Sequence, residues 1–276
     1  MFVKLCISIN DLRNFINCFN WSPEYQKELD TSFNIDKTRS RRLIHNALLK
    51  DNIWDGSRVR ELNFPRHVGR RQIFISHSHD DIEMVKKLVY VIKQEFDVDC
   101  FIDSVIWNNM NDLIRFFDNK YSLNDDKTAF SYSKRNYSTA HVHTMLSMAL
   151  LEMINDCECF LFVGSENSTL QLQRFKNDEK ATLSPWIYAE NTFVNHVKPI
   201  IPRWLYPELN LFSGGIGRID EDRKLNIAYR LDLSTFHTIT ADLLLNLCEE
   251  ECTQSDFLYR LYDESGALEQ LKPLFD

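Results

Sequence analysis

The chain has 276 residues, 44% of them hydrophobic and 26% charged, with seven glycines, seven prolines and a formal net charge of −8. That composition suits a globular protein with a sizeable core, in one large domain or in a domain of about 150 to 200 residues with appendages. It excludes low-complexity and collagen-like chains, and the acidic balance argues against direct nucleic-acid binding, which normally needs a basic face.

The start of the chain, "MFVKLCISINDL", has neither the apolar run nor the small-residue cleavage site of a signal peptide. No stretch reaches the ~18 apolar residues of a membrane span. The seven cysteines follow no framework spacing, so reduced thiols in a cytoplasmic protein without membrane attachment are expected.

Residues 1–66 read as short helices. "INDLRNFINCF" spaces Leu12, Phe15, Ile16 and Phe19 at helical intervals after a cap at Asn10 or Asp11, and "SRRLIHNALLKDN" repeats the pattern with Leu43, Ile44, Leu48 and Leu49. The basic run "KTRSRR" at residues 37–42 reads as a solvated face. Pro65 and Gly69 then set a boundary near residue 67.

Beyond it the rhythm changes. "QIFIS" predicts a strand, "DDIEMVKKLVYVIKQEF" an amphipathic helix with an acidic first turn, and "VDCFID" a second strand. Residues 107–140 form a polar and aromatic insertion, expected as a long functional or partner-facing loop. After it come the helix "HTMLSMALLEMINDC", the strand "CFLFVGS", the helix "SPWIYAENTFVNHV" and the strand "KPIIP". Alternating short apolar strands and helices predict an α/β fold, a parallel sheet with helices on both faces. Residues 203–276, with the turn "FSGGIG", the strand "NIAYRLDL" and the helix "TADLLLNLCEEE", are expected to extend that sheet and cover it.

In such sheets ligands bind beyond the carboxyl ends of the strands. The segment Ser76-His77-Ser78-His79, Asp103 and "GSENS" all fall there. Ser184 followed by Pro185 is a helix-start signal. Trp186 fits a core anchor as well as a pocket wall, and a helical Glu190 taken alone is a solvated carboxylate. No metal site is expected. His77 and His79, like His141 and His143, lack Cys or carboxylate partners at ligand spacing. Cys157/Cys159 and Cys248/Cys252 are not CxxC pairs, and no GxSxG elbow exposes a serine nucleophile.

Taken in order, "IFISHSHDD", "CFID", "CFLFVGSENS" and the Ser184-x-Trp186-x-x-x-Glu190 pattern resemble the signature segments of the Toll/interleukin-1 receptor (TIR) domain, over roughly residues 70–202. The resemblance implies a flavodoxin-like parallel sheet in a core of residues 67–202. It also implies cleavage of the nicotinamide–ribose bond of NAD+, with NAD+ as substrate and no separate cofactor. Glu190 would be the catalytic carboxylate, with Phe74, Ser76, Ser78, Asp103, Trp107, Ser184 and Trp186 around the substrate. A bacterial anti-phage enzyme is implied, active on self-association and working with a second defence protein as sensor or effector. Two other functions fit the same residues: a non-enzymatic TIR scaffold, and a nucleoside deoxyribosyltransferase-like enzyme.

Overall fold

Alternation of side chains along five short strands organises the molecule. The structure, a computed structural model, describes residues 3–33, 43–49, 53–65, 72–107, 109–171, 180–198, 229–249 and 254–268. Strands β1 (Val3–Ser8), β2 (Ile73–Ser76), β3 (Cys100–Phe101), β4 (Cys159–Gly164) and β8 (His237–Ile239) form a parallel sheet in the order β3-β2-β4-β1-β8. Leu161 of β4 is the register partner of Leu5 on one side and Ile75 on the other. A second, antiparallel sheet joins β5 (Leu170–Gln171), β6 (Lys180–Thr182) and β7 (Tyr229–Arg230).

Odd and even positions of the strands serve different cores. Ile73, Ile75, Leu5, Ile7, Leu161 and Val163 face one layer. It is built from α1 (Ile9–Asn17), α4 (Ile82–Phe96), α9 (Ala241–Glu249) and α10 (Gln254–Glu264). Phe74, Phe101, Phe160 and Phe162 face the other, where α3 (Gly56–Asn63), α6 (Met110–Phe117), α7 (Tyr132–Asp156) and α8 (Pro185–His196) pack. Each buried aromatic or aliphatic side chain contributes roughly 1.5–3 kcal/mol by leaving water. On the first of these layers α2 (Pro23–Ser32) packs beside α4, where Tyr90 donates to Glu28 at 2.7 Å. The α4 helix stops where Asp97 takes the left-handed conformation (φ 51°). The chain then enters β3, and α5 (Asp103–Ile106) follows it.

The expectation that residues 1–66 are helical fails at its first segment. "VKLCIS" is a strand in the interior of the sheet, between β4 and β8. Val3, Leu5 and Ile7 are buried and alternate with less buried Lys4, Cys6 and Ser8, the period of a strand and not of a helix. The boundary expected near residue 67 therefore separates no independent sheet, because β1 belongs to the same one as β2. The α1 helix is present, but Ser8 caps it, its Oγ accepting from the Asp11 N–H at 3.1 Å. Of the second expected helix the structure describes residues 43–49, where Ile44–Ala47 forms a turn of 3₁₀ type. Asp55 N–H then takes the Ala47 carbonyl, and Leu48 bridges Trp54.

Helices also replace the loop expected at residues 107–140. The α6 helix leads into a π turn at Asp118–Ser122, and α7 begins at Tyr132 instead of His143. Its polar residues serve as internal struts. Buried Asp118 accepts from Arg135 Nε at 2.9 Å and from Ser122 Oγ at 3.1 Å. Within "NIAYRLDL", Tyr229–Arg230 pairs with β6 and not with the main sheet, which β8 extends instead. The runs "KTRSRR" and "FSGGIG", and "KPIIP" after Lys198, lie outside the described residues.

Candidate functional site

Because Ser76 lies two residues after Phe74, it faces the same layer, the one α8 covers. That helix starts as its sequence dictates. Ser184 Oγ accepts from the Ile187 N–H at 3.3 Å, its own N–H is held by Thr182 Oγ1 at 3.1 Å, and Pro185 opens the first turn. Its buried stripe is Ile187, Glu190, Asn191 and Val194, at helical spacing. Two polar residues thus sit where apolar ones would ordinarily be. Glu190 is only 4% exposed, so it is no solvated helix carboxylate. Ser76 Oγ donates to Glu190 Oε2 at 2.6 Å.

Burial in the helix–sheet layer raises the Glu190 pKa well above its ordinary value, and the charge of Asp103 raises it further. The hydrogen bond from Ser76 pulls the other way. The carboxyl group is therefore held toward its protonated form. Asp103, at the start of α5 and half-buried, comes from the end of β3.

His77 follows Ser76. Its Nδ1 lies 3.2 Å from the Ile75 carbonyl, which fixes the proton on that nitrogen, and its Nε2 lies 3.5 Å from Ser104 Oγ. Burial lowers the His77 pKa, against the raising effects of Asp103, the Ile75 carbonyl and Asp81. Beside it, buried Asp81 ties down the "GSENS" loop after β4. Ser165 Oγ donates to Asp81 Oδ2 at 2.5 Å and Asn167 Nδ2 to Asp81 Oδ1 at 2.8 Å. Three adjacent strand ends, β3, β2 and β4, so converge on a cluster of carboxyl, imidazole and hydroxyl groups.

Asn191 uses its carboxamide like a strand edge. It donates to the Asp232 carbonyl and accepts from the Asp232 N–H, both at 3.0 Å. Asn195 adds a second donor to that carbonyl at 2.9 Å. Lys4 of β1 reaches Asn195 Oδ1 at 2.9 Å and Thr235 Oγ1 at 3.0 Å.

Of the residues singled out from the sequence, Ser76, Asp103 and Glu190 come together. Phe74 does not join them. It is fully buried, stacked between Phe101 and Phe160 at centroid distances of 5.5 and 5.4 Å. Trp107 is also core, 3% exposed, packed on Phe64 and Phe101 and donating Nε1 to the Pro65 carbonyl at 3.1 Å. In this structure neither presents a face to a ligand. Ser184 is a helix cap. Trp186 is half-buried, its ring 5.5 Å from that of His143. Ser78 offers its carbonyl to the Asp81 N–H at 2.9 Å, shaping the turn into α4.

The sequence places His77 only as part of the strand-end segment and rejects it as a metal ligand, and it gives Asp81 and Asn191 no site role. Asn191 had a legible signal, a carboxamide on the buried stripe of a helix. A cleft of about 320 Å³ opens elsewhere, between Ile44, Asn63, Leu113 and Arg115, and Glu190 does not line it. Among the described residues no group of three His, Cys, Asp or Glu side chains is arranged to hold a metal, and no helix is long and apolar enough to cross a membrane.

The described residues define an α/β protein on a five-stranded parallel sheet, with a buried carboxyl group bonded to a serine at one of the strand ends. No protein-family model, curated protein or solved structure matches the chain.

Proposed function

We propose that the chain is a TIR-type NAD+ nucleosidase with Glu190 as its catalytic carboxylate. The observation that carries this reading is the Ser76–Glu190 hydrogen bond, which joins two of the sequence signatures across 114 residues. The sheet order supports it as well. Counting β2 as the first strand, β3-β2-β4 runs 2-1-3, the start of a flavodoxin-like sheet, with β1 in the fourth place and β8 in the fifth.

The chemistry needs one carboxylate. Nicotinamide is bound to ribose as a cation, so when the C1′–N bond breaks the electron pair neutralises the ring and no acid is required. The ribose becomes oxocarbenium-like, and an anion close to it lowers the barrier. Glu190 is held toward its neutral form in the resting site. A cationic ring arriving beside it favours ionisation, so the substrate itself draws out the charge that the reaction uses. Water attack then gives ADP-ribose, and attack by the substrate's own adenosine group gives a cyclic product. The biological setting in this reading is cytoplasmic anti-phage defence, with activity raised by self-association and a second defence protein as sensor or effector.

One observation favours the scaffold reading instead: with 4% exposure, Glu190 has little open surface for a substrate to meet. Incubation of the full chain with NAD+ at high protein concentration and with a crowding agent separates the two, with Glu190→Gln run beside it and products resolved by mass. Nicotinamide release by the wild type and not by the variant is expected, and the mass of the second product distinguishes hydrolase from cyclase. No release from assembled wild-type protein, with assembly checked by light scattering, would leave the scaffold as the better account.

A further inference from the structure

The Glu190 carboxyl has a neighbour whose charge counts against it, and something must keep that neighbour in place. Asp103 is the charge that raises the Glu190 pKa, and it also acts on His77 in the opposite sense, favouring the imidazolium. Asp103 therefore lies within electrostatic reach of both. It begins a helix of four residues, Asp103–Ile106, whose backbone is held by buried Ile102, Val105 and Trp107. The Trp107 N–H is bonded to the Asp103 carbonyl at 2.9 Å, while the Asp103 and Ser104 side chains are set by their neighbours. The next residue, Ser104, has its Oγ 3.5 Å from His77 Nε2. The His77 ring is set by its other nitrogen, 3.2 Å from the Ile75 carbonyl. With the proton on Nδ1, Nε2 is left as an acceptor facing Ser104.

We propose that His77 is a positioning residue for this site, holding the Asp103–Ser104 start of α5 beside Glu190 through the Ser104 hydroxyl. This deepens the nucleosidase reading and rests on it for its catalytic meaning, though the positioning itself does not. The groups that face His77 are Asp103 and Ser104 from α5, and Asp81 and His79 from the turn into α4. Glu190 in turn faces Asp103 and takes the hydrogen bond from Ser76. An imidazole kept neutral by burial accepts from Ser104. Once protonated it presents N–H to that hydroxyl and draws Asp103 toward itself, away from Glu190. His77 thus couples the strand end of β2 to the charge state of a carboxyl on α8, with Asp103 as the intermediary.

The test reads the Glu190 carboxyl directly, by 13C NMR titration of the full chain with the Glu190 signal assigned from Glu190→Gln. In His77→Ala the contact to Ser104 is lost, the Asp103 side chain is no longer held toward Glu190, and Glu190 is expected to titrate lower, with a larger ionised fraction at fixed pH. His77→Gln, whose carboxamide oxygen still accepts from Ser104, is expected to restore most of the wild-type value. His77→Phe fills the same space without an acceptor and should behave as His77→Ala, which covers a failure of the alanine variant to fold. In an Asp103→Asn background, His77→Ala should produce no further shift, since the charge it positions is gone. A Glu190 titration unmoved in both His77→Ala and His77→Phe overturns the proposal, as does an equal shift with and without Asp103. NAD+ turnover, measured on the same samples, should show its pH profile displaced in the same direction. If no turnover is found while the Glu190 shift follows this pattern, the nucleosidase reading falls and the positioning role of His77 stands.

Discussion

The Lys4 ammonium of the first strand lies 2.9 Å from the Asn195 carboxamide oxygen of α8, so the start of the chain is bonded to the helix that carries Glu190. Burial lowers the Lys4 pKa, opposed by the nearby Asp232 carboxylate, whose own pKa is lowered mainly by its bonds from Ser234. The site helix is thereby tied to β1 through Lys4 and to the segment before β8 through Asn191 and Asn195. Four consequences can be measured.

A chain truncated to begin at residue 67 loses β1 and, with it, the register partners of β4 from Cys159 to Gly164 on one side. It also leaves Leu161 and Val163 without their cover, and β8 without its neighbour. We expect no cooperative unfolding transition and an expanded hydrodynamic radius by gel filtration. A truncated protein that melts cooperatively would show that residues 67–276 fold alone. The milder Lys4→Met, which removes two bonds from a charged donor, is expected to cost about 1.5–3 kcal/mol by urea denaturation.

Glu190→Gln is expected to stabilise the fold in a pH-dependent way. The folded carboxyl has a pKa raised above its ordinary 4.5. Its contribution to stability is therefore complete below that value and is lost as pH rises through the folded pKa. Gln keeps an acceptor for Ser76 and cannot ionise. The variant should match the wild type's unfolding free energy near pH 4 and exceed it at pH 8, by about 1.4 kcal/mol for each pH unit by which the folded pKa stands above the unfolded one, up to pH 8. An equal difference at both ends of the range would contradict the assignment of burial as the cause.

Phe74 separates packing from substrate contact. Phe74→Ala should destabilise by about 3–5 kcal/mol, since it empties a site between two aromatic rings. Phe74→Leu should cost less, and the kinetics of any turnover should be preserved in it, because Phe74 has no exposed surface to offer a substrate. A large rise in KM for Phe74→Leu at unchanged stability would put Phe74 at the substrate after all.

Ser184→Ala removes the cap that receives the Ile187 N–H and is expected to cost about 1 kcal/mol, while Ser184→Gly should cost only a few tenths. Equilibrium denaturation of both variants checks the order. A selective loss of turnover without a loss of stability would give Ser184 a role beyond capping.

Much of this was readable from the residues because it rests on local rules. The helix at residues 185–196 has a Ser-Pro start, and α4 and β4 have unambiguous apolar periods. The Glu190–Ser76 pairing was legible only as a resemblance, since no local rule links residues so far apart. "VKLCIS" was misjudged because six residues with a lysine and a serine among them look weak beside the strongly periodic α1 that follows. What makes them a strand is partners supplied by β4 and β8. The polar residues of 107–140 hid a helical segment because Asp118, Ser122, Arg135 and Ser138 bond one another instead of water. The TIR resemblance sets Phe74 and Trp107 around the substrate, but both are core. Side-chain alternation sends Phe74 under α7 and α8, and Trp107 folds back onto Pro65.

The placement of β1 also sets the order of events during synthesis. β1 leaves the ribosome long before its partners: Val3–Ser8 pairs with Cys159–Gly164 and with His237–Ile239. At about 5–20 residues per second, the nascent chain spends many seconds with its first strand unpaired. Pairings this distant are slow to form even in a released chain. Because Lys4 reaches α8 only from a docked β1, the Glu190 helix gains its last anchor only when the sheet closes. β1 is thus a late-fitting keystone of the sheet, placed only once β4 and β8 are there to receive it.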